Sequence, residues 1–333
     1  TGVGQAVDKC GPDPEPGSLG PAAADGVLSV DGNATADGTT TAIADDAFAA
    51  GLVAGAEDRT VQEVRDSINA EGVDYRSMTT FYSDDDEDYV ATYVELDGDP
   101  NDFIESEIRG QYRQATGGEE MTFREHEEGY RHVDVYNLSD LDEGEELNIT
   151  RALSGFVADG TTEWASPISD DSLVFGSKEA VQDVADIYRG VAGPAETPLH
   201  ETHNRSDGQI VLSGNVSDKP LAEYADAVDG ELGDGLSEQS AAVVSVAYET
   251  TTSDVTLDVR FRAADEAAAG SLNDALAGVL TDGGGDAVHE RASVSQTGQY
   301  VRLSVPYGSD QLVGDLESFV EAFGTELFPD SQS

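Results

Sequence analysis

Two histidines three residues apart are the side chains whose types and spacing best suit a metal ion. His200 and His203 lie in the stretch HETHN, and two histidines at this spacing can bind one metal from the same face of a helix. The stretch is one residue shorter than the HExxH pattern of zinc proteases, and its segment contains proline. We therefore favour a solvated linker over a metal site at these histidines, and we predict no cofactor.

The other residues that could do acid–base chemistry occur in strand-like stretches and match no catalytic pattern. His126 and His289 each have a glutamate beside them, and a histidine paired with a carboxylate can transfer protons. In a chain with 68 acids, however, almost every histidine has such a neighbour. The sequence contains no GxSxG elbow, no Walker loop and no Rossmann glycine pattern. We predict no catalytic residue.

The single tryptophan, Trp164, is a candidate for an aromatic contact with a partner. It lies in the stretch TEWASPI, where an exposed ring could anchor a binding surface. A lone tryptophan more often fills a core or a domain interface. Both interpretations of Trp164 remain open at the level of the sequence.

The elements that must position these residues are predicted from apolar periodicity. Their order, α-β-β-α-β-β-α, recurs along the chain at an offset of about 165 residues. We predict an α+β fold with two related domains, each an antiparallel sheet with helices packed on one face. The predicted boundaries are a flexible acidic, Gly-, Ala- and Pro-containing tether at 1–42, a first α+β domain at 43–192, a linker at 193–208 and a second α+β domain at 209–328.

Five consecutive acids, Asp84–Asp88, separate two of the predicted strands, at 77–83 and 88–96. A calcium-binding loop would have acids at alternate positions and a glycine at its turn, and five acids in a row without a glycine do not match this pattern. The acids are therefore predicted to form the solvated loop of a β-hairpin.

The charge of the chain indicates the solvent for which its surface is adapted. Acids outnumber bases 68 to 17, the net charge is -51, and only three of the bases are lysines. Such a surface repels itself at ordinary salt and is screened in brine, where the Debye length falls to about 3 Å. The composition resembles that of proteins from extremely halophilic archaea. It argues against binding to nucleic acid or to anionic headgroups, because both need basic patches.

Sequence signals of export come from glycosylation motifs and from the N-terminal segment. There are five N-x-S/T sequons, at Asn33, Asn137, Asn148, Asn204 and Asn215. The first 26 residues combine Gly, Pro, Ala and acids with little periodicity, as in a flexible spacer. The chain thus resembles exported haloarchaeal lipoproteins and glycoproteins, in which a lipidated cysteine precedes a polar tether and a folded part. Cys10 is a poor lipid site, because Val7-Asp8-Lys9 puts charges where a lipobox has small, apolar residues.

The resemblance implies an extracellular protein at the cell surface, glycosylated at its sequons. Since no apolar run reaches the roughly 18 residues of a membrane helix, we expect membrane association only through an N-terminal lipid. The leading hypothesis is a non-enzymatic binding or structural protein at the envelope of a halophilic archaeon or of its virus, with an envelope component or another protein as partner. The alternatives are a secreted hydrolase that uses carboxylates for acid–base chemistry and a solute-binding lipoprotein.

Overall fold

Twelve strands form a single antiparallel sheet in the computed structural model, which describes residues 19–31, 75–83, 89–102, 126–130, 133–137, 164–216, 241–250, 254–282 and 292–308. The strands are β1 Gly26–Asp31, β2 Tyr75–Tyr82, β3 Val90–Leu96, β4 His126–Tyr130, β5 Val133–Asn137, β6 Trp164–Pro167, β7 Ser172–Gly176, β8 Ile210–Asn215, β9 Val243–Thr250, β10 Asp254–Arg262, β11 Ser293–Thr297 and β12 Tyr300–Gly308. The helices are α1 Pro100–Asp102, α2 Lys178–Tyr188, α3 Pro198–His203 and α4 Glu266–Asp282. Across the sheet the strand order is β11-β12-β10-β9-β8-β1-β2-β3-β7-β6-β5-β4.

A large antiparallel sheet with a few helices is an α+β architecture, as the sequence predicted. The described strands nevertheless belong to one sheet, whereas the sequence predicted a separate sheet for each half. The join is β1, which pairs with β2 on one side and with β8 on the other, so that Leu28 lies opposite Leu212 at the centre. The relationship between the two halves stays a prediction.

The prediction of a flexible tether over 1–42 is wrong for the described residues 19–31. The side chains of Leu19 and Val27 are completely buried, and β1 occupies the middle of the sheet. The physical reason is that GVLSV supplies apolar residues on both faces of a strand that neighbours cover on both edges. Cys10 and Asn33 lie outside the described residues.

The prediction of a solvated linker over 193–208 is also wrong, because this segment contains the buried helix α3. The Thr197 side chain caps α3 by accepting a hydrogen bond from the His200 backbone N–H, and Pro198 occupies the first turn. Proline is favourable there, since its missing N–H would be unpaired anyway and its φ suits a helix. Leu199 is completely buried, which fixes the helix to the sheet.

Most of the regular elements predicted from periodicity are confirmed where the structure describes them. Apolar residues at helical spacing also predict helices at 178–191 and 265–281, and these correspond to α2 and α4. The hairpin predicted around the acidic run is formed by β2 and β3, with Tyr82 opposite Val90. The acids Asp84–Asp88 themselves lie outside the described residues, as do three further stretches of helical periodicity, at 60–72, at 218–230 and from Ser309. Within the described part of the chain, no helix has the length and apolar character needed to span a membrane.

One face of the sheet carries a core that α2 and α3 cover. Val181, Val184 and Tyr188 of α2 are buried in it, and the buried residues of the neighbouring strands include Phe81, Tyr93, Trp164, Val174 and Val243. The spacing of Val181 and Val184 puts both on one side of the helix, toward the sheet. Each fully buried side chain of this size contributes about 1.5–3 kcal/mol to stability. Leu199 of α3 belongs to the same core, which places the helix and its two histidines on this face of the sheet.

Candidate functional site

Helix α3 brings both candidate histidines into the interior. It packs against β1, β8, β9 and β10, and the side chains of His200 and His203 are only 3% and 5% exposed. Both histidines are therefore part of the protein interior, and neither lies in a solvated segment.

The His203 ring is held by serine hydroxyls on both of its nitrogens. Its Nδ1 lies 2.9 Å from Ser213 Oγ, and its Nε2 lies 2.9 Å from Ser29 Oγ. The chain of hydrogen bonds continues on both sides, to Thr79 Oγ1 at 2.9 Å from Ser29 Oγ and to Ser245 Oγ at 2.8 Å from Ser213 Oγ. We call these five residues the polar chain. It crosses the four central strands β2, β1, β8 and β9.

The direction of the polar chain fixes the tautomer of His203. Ser213 donates its hydroxyl hydrogen to Ser245, so it must accept a hydrogen bond from Nδ1–H of His203. The Nε2 atom then accepts the hydrogen of Ser29. Burial, followed by the neighbouring His200, lowers the pKa of His203 from 6.5 to about 3, so the ring is neutral. Both ring nitrogens of His203 are hydrogen-bonded, and the polar chain contains no carboxylate. His203 therefore has a structural role and does not act as a general base.

The two ring nitrogens of His200 differ in their hydrogen bonding. Its Nδ1 lies 2.7 Å from Thr197 Oγ1, whereas its buried Nε2 has no hydrogen-bond partner among the described residues. The ring fits closely against Gly20, because a Cβ built on that glycine would lie 1.8 Å from Nε2. Burial lowers the pKa of His200 to about 4. Among the described residues, no group of three His, Cys, Asp or Glu side chains could hold a metal ion.

The two buried histidines predict a loss of stability in mild acid. Their pKa values are lowered from 6.5 to about 4 and about 3, so the unfolded chain binds more protons than the folded one below pH 6.5. The stabilisation is complete above that pH and is lost as the pH falls toward the folded values. From pH 8 to pH 5, we expect each histidine to lower the free energy of unfolding by about 2 kcal/mol.

Urea unfolding in brine at pH 8 and at pH 5 measures this effect. Brine screens the surface acids, so changes in surface charge over this interval have little effect on stability. His200→Leu and His203→Leu should each remove about half of the pH dependence. An unchanged free energy of unfolding between the two pH values would contradict the burial of neutral histidines.

A group of four arginines lies on the sheet beside the end of α3. We call Arg205, Arg260, Arg262 and Arg302 the arginine cluster, and it contains four of the chain's fourteen arginines. Arg302 binds Asp258 through two hydrogen bonds, one of them from Nε to Oδ1 at 3.1 Å. Arg262 lies 3.9 Å from Glu201, and the Arg205 guanidinium lies 4.6 Å from the centroid of the Tyr300 ring. Tyr300 also donates a hydrogen bond of 3.1 Å to Glu201.

Arg260 differs from the other members of the arginine cluster. Its side chain is partly buried, and no carboxylate of the described residues lies within ion-pair distance of its guanidinium. Burial, followed by the charge of Arg302, lowers the pKa of Arg260. The site therefore contains a partly desolvated cation, Arg260, whose cross-strand neighbour on β12 is another cation, Arg302.

The remaining candidates from the sequence are distributed over the fold. Trp164 is 4% exposed within the core, with Lys178 Nζ 4.4 Å from its ring centroid, which favours the structural interpretation. Asn204 is exposed at the C-cap of α3. Asn215 is partly buried, and its amide donates a hydrogen bond of 3.1 Å to Asp25. The backbone of Asn137 pairs with Trp164 in the sheet, and Asn148 lies outside the described residues.

The arginine cluster was not among the sequence predictions, although a signal for it was present. In DVRFR of β10, the residues Asp258, Arg260 and Arg262 alternate with apolar ones, which puts all three on one face. In β12, Tyr300 and Arg302 alternate with Val301 in the same way. The pairing of these strands, which brings the two sets together, had no local signal.

Comparison with known proteins gives only a distant structural likeness. No protein-family model matches the chain, and no curated protein matches it. Two solved structures that are similar to it are described as crystal forms I and III of TP0453, both at 11% sequence identity. Each alignment covers 91% of this chain and 97% of the other, with TM-scores of 0.45 for form I and 0.46 for form III. At this level, the likeness to TP0453 assigns neither a family nor a function.

Proposed function

We propose that this chain is an exported, salt-adapted protein of a halophilic archaeon or of its virus, which acts at the cell envelope by binding or by structure. The observation that carries the proposal is the charge balance, 68 acids against 17 bases with three lysines. A surface with this balance suits concentrated salt, where the repulsion between acids is screened.

A non-enzymatic role is supported by the state of the candidate catalytic groups. His203 is buried, neutral and engaged on both nitrogens, and His200 is buried against Gly20. A general base must reach a substrate and have a pKa near the working pH, and neither histidine meets these requirements. The polar chain therefore supports a role in stabilising the centre of the sheet.

Export is supported by the position of Asn204, whose sequon lies on the surface at the end of α3. A glycan can be attached only to an accessible asparagine in a chain that is exported. Asn204 is exposed, whereas the amide of Asn215 is bound to Asp25. The proposal thus distinguishes these two sequons, which the sequence alone treats as equal.

Intact-mass spectrometry of the protein from the membrane fraction of its host tests this proposal. We expect added glycan mass at Asn204 and none at Asn215, together with a lipid at the N-terminus. Asn204→Gln should remove the mass of one glycan, and Asn215→Gln is the matched control that should remove none. An unmodified mass in the soluble fraction would argue against export, and the acids would then reflect only a salty cytoplasm.

We further infer that the two halves of the chain are related units. The two halves of the chain meet where β1 pairs with β8. In each half, two more strands follow, and then a helix and a hairpin. The order is β1-β2-β3-α1-β4-β5 in the first half and β8-β9-β10-α4-β11-β12 in the second. The strands β9 to β12 begin about 165 residues after β2 to β5. The first half differs from the second in one respect. It contains the hairpin β6–β7, which lies between β3 and β5 in the sheet, whereas β10 pairs directly with β12.

An experimental structure tests the inferred relationship between the halves. It should show a helix that continues from Pro100 and packs as α4 packs in the second half. A different conformation of the residues after Asp102 would contradict the relationship.

A further inference from the structure

The arginine cluster concentrates four bases on one part of a chain in which acids outnumber bases 68 to 17. Among the described residues, Asp258, Glu201, Asp207 and Glu249 interact with these arginines. Two of these acids are engaged, because Asp258 binds Arg302 and Glu201 binds Arg262 and Tyr300. The others are exposed: Asp207 and Glu249. A concentration of bases in so acidic a chain needs a physical reason.

The position of Arg260 shows that internal ion pairing is not that reason. In the register of β10 and β12, Arg260 lies directly opposite Arg302. Like charges on residues directly opposite each other in an antiparallel pair are destabilising. With 68 acids in the chain, a carboxylate opposite Arg260 would have been a simple solution. Instead, its guanidinium is partly buried without a carboxylate of the described residues at ion-pair distance.

The polar chain ends at Ser245, on the strand next to Arg260. On the other side of β10, the residue opposite Arg260 is Ser245. Ser245 accepts the hydrogen of Ser213, and no described hydrogen bond uses its own hydroxyl hydrogen. Ser245 and Arg260 are thus cross-strand neighbours on the same face of the sheet.

We propose that the arginine cluster is a binding site for an oxyanion, a carboxylate or phosphate group of a ligand, which Arg260 binds together with Arg302 and Arg205. A guanidinium presents a planar set of N–H donors that fits two oxygens of such a group. The anion removes the repulsion between Arg260 and Arg302, and the stacking of Arg205 on Tyr300 orders a third donor at the edge of the site. This inference goes beyond the proposed function and is independent of export and glycosylation.

Asp207 sets the selectivity of the site. Its charge attracts Arg260 and Arg302 without a direct ion pair to either. A ligand must therefore compete with this exposed carboxylate, and two oxygens bound to one guanidinium do so better than a single spherical chloride ion. The site is expected to discriminate oxyanions from chloride in brine.

Isothermal titration calorimetry of the whole protein in about 2 M KCl tests the site, with potassium phosphate and potassium succinate as the two probes. We expect at least one probe to bind with a dissociation constant in the millimolar range. Arg260→Gln should weaken binding by about tenfold or more, and Arg260→Lys, which keeps the charge but loses the planar donors, should give an intermediate affinity. Arg76→Gln is the control, because Arg76 is an exposed arginine bound to Asp97 and Asp171 elsewhere on the sheet.

Thermal unfolding without either probe separates a binding role of Arg260 from a structural one. Because Arg260→Gln removes a like-charge repulsion, the variant should unfold at the same temperature as the native protein or at a higher one. Binding of phosphate alone identifies a phosphorylated ligand, and binding of succinate alone identifies a carboxylate ligand. Equal binding by the native protein and Arg260→Gln, equal losses in Arg76→Gln, or a clearly lower unfolding temperature of Arg260→Gln would overturn the proposal.

Discussion

In about 0.1 M KCl the protein is expected to lose its fixed tertiary structure, and in about 3 M KCl to regain it. Two like charges 10 Å apart repel by about 0.4 kcal/mol in water, and 68 acids form very many such pairs. Their sum exceeds the roughly 5–15 kcal/mol that stabilises a typical domain. At 1 M salt the Debye length is about 3 Å, so the same pairs hardly interact.

Near-UV circular dichroism during a KCl titration measures the salt effect. The signal should be largely absent at about 0.1 M and should rise to a plateau above about 1 M. Sucrose added at the lower salt concentration is the control, since it favours compact states without screening charge. Full near-UV circular dichroism at about 0.1 M KCl, or full recovery with sucrose alone, would contradict the role of screening.

The elements that could be predicted from the sequence are those with strong local periodicity. Helix α2 has Val181 and Val184 on one side, and β10 alternates Leu257, Val259 and Phe261 with polar residues. Such patterns fix the type of element, because burial on one face requires a period of 3.6 in a helix and of 2 in a strand. They do not fix its partners, so the order of the strands had to come from the structure.

The two wrong boundaries have a common physical cause. Strand β1 lies in a segment rich in Gly, Ala and Pro, and its pairing with β2 and β8 depends on residues far along the chain. Helix α3 follows a polar, proline-containing stretch, which is also typical of a linker. In both cases contacts distant in sequence decide the structure, and local composition indicates the opposite.

The candidate site could be predicted only in part for the same reason. The sequence singled out His200 and His203, but their burial depends on short hydroxyl side chains from four strands. Ser29, Ser213 and Ser245 would each be taken for surface residues in a sequence of alternating pattern. Ser213 and Ser245 are buried and Ser29 is half-buried, and they are tolerated there because His203 and its neighbours satisfy their hydrogen bonds.

The same substitution at the two histidines of α3 is expected to have different effects on stability. Leucine is close to histidine in volume, so His203→Leu mainly removes the two hydrogen bonds to Ser29 and Ser213. The buried Ser213 loses its donor but still donates to Ser245, and the half-buried Ser29 keeps its hydrogen bond with Thr79. Each hydrogen bond contributes about 0.5–1.5 kcal/mol, so we expect a total loss of about 2 kcal/mol.

His200→Leu is the matched control, and we expect it to change the free energy of unfolding by less than about 1 kcal/mol at neutral pH. His200 has a buried Nε2 that no described residue bonds, and its Nδ1 partner Thr197 is only partly buried and still caps the helix. Replacement by an apolar side chain therefore removes a buried unpaired atom in exchange for one hydrogen bond.

Urea unfolding of both variants in brine at neutral pH measures the contrast. Combining His203→Leu with Ser29→Ala and Ser213→Ala should recover part of the loss, because removing both partners of a buried hydrogen bond costs less than removing one. Equal losses at the two positions, or no recovery in the triple variant, would mean that packing around α3 and not the polar chain stabilises the centre of the sheet. The larger effect at His203 would make the polar chain a determinant of stability where the two halves of the sheet meet.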